Sequence, residues 1–157
     1  MASRFRDRSE AGQALARLLT HYADRPDVQV LALPRGGVPV GFEVARALHA
    51  PLDVLLVRKL GLPGQEELAM GAVATGGRIV LNEEVLYQVN LPREVIDQAI
   101  DRELRELKQR EKRYRGERPV PDVLDQVVIL VDDGLATGSS MRAAAEALRL
   151  QQPQRIV

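Results

Sequence analysis

Residues Val127 to Leu148 read VVILVDDGLATGSSMRAAAEAL. Five apolar residues run straight into two adjacent carboxylates, Asp132 and Asp133. A loop of small residues follows, and then an alanine-rich helix predicted over Met141–Leu150. A continuous apolar run of this length is a strand buried on both faces, the kind found inside a parallel sheet. Two charges at the mouth of such a strand need a purpose.

The same grammar recurs upstream. VQVLAL (Val28–Leu33) and LDVLLV (Leu52–Val57) are further buried strands. Helices are predicted from Ser9, as cap, to about Ala23, and over Val40–His49. A loop rich in Gly and Pro spans Gly61–Gln65, and a hairpin turns at Gly76-Gly77 within AVATGGRIVL. A short helix over Asn82–Asn90 follows, then a long one from Pro92 to about Arg115. Apolar strands alternating with helices predict an α/β fold, a parallel sheet flanked by helices on both faces, with a small hairpin insertion.

Ligands of such sheets collect beyond the carboxyl ends of the strands. The residues there are ligand types. VQVLAL leads into Pro34-Arg35-Gly36-Gly37, LDVLLV into Arg58-Lys59, and VVILV into Asp132-Asp133. In the loop Gly134–Ser140, small residues let backbone N–H groups approach an anion, and the following helix directs its positive end to the same place. Thr137, Ser139 and Ser140 add hydroxyl donors, a set suited to a phosphate monoester. The plainer alternative is a turn in which Ser139 or Ser140 caps the helix. The acids weigh against it, since a phosphate beside two carboxylates calls for a hydroxylated sugar or a bridging divalent cation.

Other classes are disfavoured. No lysine stands in a Gly-Lys-Ser/Thr context, and GLATG does not supply a dinucleotide fingerprint. Lys+Arg and Asp+Glu balance at 22 each in 157 residues, so no net field draws nucleic acid or an anionic membrane. The sequence shows no membrane span or signal peptide, has no cysteine, and has two histidines. A single cytoplasmic domain over 1–157 is expected, its core built from aliphatics because aromatics are 3% of residues.

VVILVDDGLATGSS resembles the phosphoribosyl-diphosphate (PRPP) binding motif of the type I phosphoribosyltransferases. PRGG stands in the place of that family's pyrophosphate loop, and Arg58-Lys59 opens what corresponds to its flexible catalytic loop. The likeness runs from about Phe5 to the end and is greatest to bacterial phosphoribosyltransferases of unassigned base.

The resemblance implies roles. Leu135, Ala136, Thr137, Gly138, Ser139 and Ser140 would hold the 5-phosphate. Asp132 and Asp133 would take the ribose hydroxyls, directly or through Mg²⁺ and its waters. Arg35, Gly36 and Gly37 would bind the departing diphosphate, with the Pro34–Arg35 peptide cis. Arg58 and Lys59, with the Gly61–Leu68 loop, would close over the site. The activity implied is transfer of ribose 5-phosphate to a nucleobase or similar nitrogen nucleophile. Ala136 stands where 6-oxopurine enzymes carry an aspartate, which argues against the standard hypoxanthine or guanine acceptor. The sequence stops at Gln154-Arg-Ile-Val157, where family members continue, so a C-terminally incomplete domain is expected.

Two other functions are compatible with the residues: a PRPP-binding regulator without turnover, and an NTPase using VVILVDD as a Walker B strand. The long helix carries Asp101–Arg105, Glu106–Arg110 and Glu111–Arg115 at i, i+4 spacing on its polar face. It reads as a sheet cover in preference to a homodimer contact. FRDR at the start and Arg113–Arg118 are too mixed with acids for nucleic-acid binding.

Overall fold

The computed structural model describes residues 4–135 and 138–157, with Glu67 described in its backbone alone. The chain forms two compact units, one of residues 1–55, 121–136 and 151–157, the other of 56–120 and 137–150.

The first unit is the parallel α/β layer. Strands β1 (Val28–Ala32), β2 (Leu52–Val54), β6 (Val127–Val131) and β7 (Arg155–Ile156) lie in the order β2-β1-β6-β7, all parallel. Their apolar runs alternate faces. Val28, Val30, Val127, Ile129 and Val131 pack with Val40, Val44 and Leu48 of helix α2 (Gly37–Leu48). Leu31, Val128 and Leu130, on the opposite face, are buried as well. Helix α1 (Arg8–Arg17) packs along α2. Register matters most for function: Ala32 pairs with Val131, so Leu33–Gly37 and Asp132-Asp133 leave adjacent strands at one level of the carboxyl edge.

The second unit is an antiparallel sheet, β3 (Val57–Leu62), β4 (Gln65–Ala74) and β5 (Arg78–Leu81), in sequence order. Helices α3 (Glu83–Val89), α4 (Arg93–Arg115) and α5 (Ser139–Arg149) belong to it. Leu60, Leu62, Met70 and Val73 pack with Ala99 and Leu107 of α4. The long amphipathic helix thus covers sheet, as expected from its apolar stripe. α5 packs against all three strands.

Several expectations are corrected. LDVLLV is not one strand: the Leu55 N–H donates to Ala32, whereas the Leu56 N–H donates to Thr75 Oγ1 at 2.8 Å and the Leu56 carbonyl accepts from Thr75. The backbone changes sheets between two leucines that hydropathy cannot tell apart. Arg58 and Lys59 therefore lie within β3, not beyond a parallel strand. The predicted loop at Gly61–Gln65 is mostly strand, with the turn at Pro63-Gly64, because β3 and β4 pair as far as Leu62–Gln65. Asp7, not Ser9, caps α1, accepting from the Glu10 N–H at 2.8 Å. That helix ends at Arg17 and a 3₁₀ turn over Thr20–Tyr22 completes the segment. Pro92 is the cap of α4 and not its first residue.

Candidate functional site

In the first unit the site is built on the ends of β1 and β6. The Leu33 N–H donates to the Val131 carbonyl at 2.9 Å, carrying the pairing one step past the strands before the chains diverge. The Pro34–Arg35 peptide is cis. Gly36 then caps α2 with no side-chain hydrogen bond. The glycines are set by proximity: a Cβ on Gly36 would lie 1.9 Å from Asp133 Oδ2, and one on Gly37 would lie 2.8 Å from the Val131 carbonyl. PRGG and the two acids are thus packed together. The Arg35 side chain is exposed and its guanidinium has no ion or hydrogen-bond partner among the described residues, while its carbonyl accepts from the Val38 N–H at 3.1 Å.

The two carboxylates differ in environment. Asp132 turns Oδ1 back to accept the Asp133 N–H at 2.8 Å. Burial pushes its carboxyl above the ordinary value, and the neighbouring Asp133 charge adds to the effect. Asp133 is held below its ordinary value, first by Arg8, whose Nε and Nη2 donate to Oδ2 at 3.1 and 2.8 Å. Side chains that alternate along an ideal strand therefore act on one another here, because the strand has ended.

Arg8 is the residue that sequence reasoning missed. The FRDR segment reads only as weakly basic, and Arg8 lies 125 positions from Asp133. One signal was present: an arginine in the first turn of a helix opposes the helix dipole, so some other partner is expected for it.

In the second unit, Gly138 caps α5 with φ 78°, a left-handed conformation suited to glycine, and makes no side-chain cap bond. The cap position is thus Gly138, and Ser139 and Ser140 are the first two residues of α5. Lys59 Nζ donates to Ser139 Oγ, joining β3 to the start of α5. Arg58 points elsewhere, as alternation along a strand requires. Its Nε donates to Glu103 Oε2 of α4 at 2.6 Å, with side chains 25% and 19% exposed. A cleft of about 410 Å³ lies beside Lys59 and Ser139 and is also lined by Asn82, Glu83, Arg142 and Glu146. Its balanced charges suit a small polar molecule.

Leu135 and Ser140 are exposed. Ala136 and Thr137 lie outside the described residues.

A family model described as a phosphoribosyl transferase domain matches residues 6–157. Two curated proteins of Mycobacterium tuberculosis, from strains CDC 1551/Oshkosh and ATCC 25618/H37Rv, are named provisionally as phosphoribosyl transferases. Each is 44% identical over 153 residues, which is 98% of this chain and 34% of the relative. The chain thus spans about a third of their length. Among solved structures, the protein TT1426 from Thermus thermophilus superimposes with a TM-score of 0.85 at 44% identity, covering 98% of this chain and 73% of that one. A purine phosphoribosyltransferase from Pyrococcus horikoshii gives a TM-score of 0.53 at 20% identity, over 95% and 68% of the two chains. That last likeness is one of fold.

Proposed function

The chain belongs to the phosphoribosyl transferase domain family, and we propose that it transfers ribose 5-phosphate from PRPP to a nucleobase or similar nitrogen nucleophile, releasing diphosphate. One observation carries this reading: Asp133 is seated against Gly36, so that carboxylates for a sugar and bare backbone for a diphosphate share one strand edge.

Each residue then has a task. Asp132 and Asp133 engage the ribose hydroxyls. Gly36, Gly37 and Arg35 receive the diphosphate, Arg35 bringing an uncommitted charge. Residues 135–140 hold the 5-phosphate by backbone N–H groups and the hydroxyls of Thr137, Ser139 and Ser140. Breaking the bond from ribose C1 to diphosphate leaves positive charge on the sugar and negative charge on the leaving group. Cations placed at the leaving group lower the barrier where that charge develops. Arg58 and Lys59 are assigned to closure and to the same charge. The acceptor nitrogen attacks C1, so no protein nucleophile is required.

The donor set fits Mg²⁺. Asp132 and Asp133 are two carboxylates, and no cluster of three or more such ligands occurs among the described residues. That suits a cation that keeps several waters and completes its shell from substrate phosphate. Bound Mg²⁺ supplies neutralisation of the diphosphate charge.

We take residues 1–157 as one domain, because each unit is assembled from separate segments of chain. No helix among the described residues is long and apolar enough to cross a membrane. A cytoplasmic enzyme acting on small molecules, with no role for nucleic acid, follows from the same reading; a homodimer through α4 is a further element of it.

A specific observation favours a second reading, PRPP binding without turnover. Arg58 is committed to Glu103, and residues 57–74 are folded as a paired hairpin.

The test is thermal unfolding with and without PRPP and Mg²⁺, with Asp132→Asn/Asp133→Asn as control. Ligand at a hundredfold over its dissociation constant raises the midpoint by roughly 5–10 °C in a chain of this size. No rise at saturating PRPP in the folded wild type rejects both readings. A rise with no product from any base selects the second.

A further inference from the structure

We propose that Arg8 is a positioning residue for Asp133: its guanidinium clamps one carboxylate oxygen and seats the group against Gly36, leaving the other oxygen for the sugar or its metal. The inference rests on the PRPP reading above.

The geometry is a two-donor clamp. Nε and Nη2 of Arg8 both reach Asp133 Oδ2, at 3.1 and 2.8 Å, and no cation among the described residues pairs with Oδ1. The Asp133 backbone is already fixed by its N–H bond to Asp132 Oδ1. The freedom that remains is rotation of the side chain, and Arg8 removes it.

Two further observations support a role beyond folding. Arg8 is the first residue of α1, where a cation opposes the helix dipole. Asp7 at the cap and Glu10 in the first turn already serve that end of the helix. The ion pair is also well solvated, with side chains 58% and 33% exposed, so it adds little to stability. What it does accomplish is to hold Asp133 beside Asp132 against their mutual repulsion. Among the described residues, no other cation is ion-paired to either carboxylate.

The experiment titrates PRPP with Mg²⁺ calorimetrically into wild type, Arg8→Ala, Arg8→Lys, Asp133→Asn and the Arg8→Ala/Asp133→Asn double variant, each first shown to be folded. Arg8→Ala is expected to weaken PRPP binding about fivefold, ~1 kcal/mol, at nearly unchanged melting temperature. Arg8→Lys recovers part of the loss. In the Asp133→Asn background Arg8→Ala costs nothing more, which a purely structural arginine would not reproduce. Should Asp133→Asn bind too weakly to titrate, a crystal structure of Arg8→Ala decides, with the Asp133 carboxylate expected to leave Gly36. Wild-type affinity in Arg8→Ala, equal losses in both backgrounds, or an unmoved carboxylate overturns the proposal alone. Absence of PRPP binding by wild type overturns the functional reading and this inference with it.

Discussion

Gly36 and Asp133 come so close that a methyl group on the glycine would lie 1.9 Å from the carboxylate Oδ2. The clash is with the end of a rotatable side chain, which can give way. Gly36→Ala should therefore fold with nearly wild-type stability while expelling Asp133 from its seat. PRPP affinity is expected to fall at least about tenfold, by displacement of a charge-assisted contact. Calorimetric titration beside a melting curve checks the pair of outcomes. Unchanged affinity would detach Asp133 from the ligand.

Gly37→Ala provides the contrast. Its Cβ would meet the Val131 carbonyl at 2.8 Å and Asp132 Cα at 3.1 Å, and backbone cannot rotate aside. A loss of about 1–3 kcal/mol in urea unfolding is expected, the usual cost of overpacking. Equal stabilities for the two variants would contradict the packing described.

The two acids should act on stability with opposite signs in metal-free buffer. Asp132 has its value raised by burial, so its ionised form weakens the fold as pH climbs through that value. Asp133 has its value lowered by Arg8, so it stabilises above the ordinary carboxylate value of about 3.9 and ceases to do so as pH falls below it. At neutral pH, Asp132→Asn is expected to raise the melting temperature. Asp133→Asn should lower it by about 2–4 °C at most, since the pair is solvated. The Asp133→Asn deficit should disappear on acidification well below pH ~4. A deficit constant across that range would show that the Arg8 pairing contributes nothing.

Arg58 and Glu103 form a less exposed pair, 25% and 19% exposed at 2.6 Å, than Arg93 and Asp97, 84% and 55% exposed. Glu103→Gln is expected to cost about 1–2 kcal/mol in urea unfolding, and Asp97→Asn under about 0.5. If Glu103→Gln also leaves PRPP affinity and turnover intact, the carboxylate serves only to anchor β3. Improved turnover in Glu103→Gln would instead mean that Arg58 must leave Glu103 to act.

Much of the candidate site was legible before folding, for a local reason. An apolar run followed by two acids and a small-residue loop specifies a buried strand and what lies beyond its end, and β6, Asp132, Asp133 and Gly138 are where that pattern places them. The turn at Gly76-Gly77 was likewise local, carried by turn chemistry, and the short helix expected over Asn82–Asn90 is α3, with those two residues as its caps.

The assignment of Leu55 and Leu56 to different sheets was not local. It depends on which carbonyl or hydroxyl each N–H finds, Ala32 for one and Thr75 for the other, and composition carries no trace of that choice. The same holds for Arg58, whose neighbour along the chain, Lys59, looked like its functional twin until strand alternation sent one to Glu103 and the other to Ser139. Arg8 and Asp133 are the extreme case. Hydrophobic periodicity places elements, but a pairing across 125 residues exists only once the sheet has brought both ends of the chain to one edge.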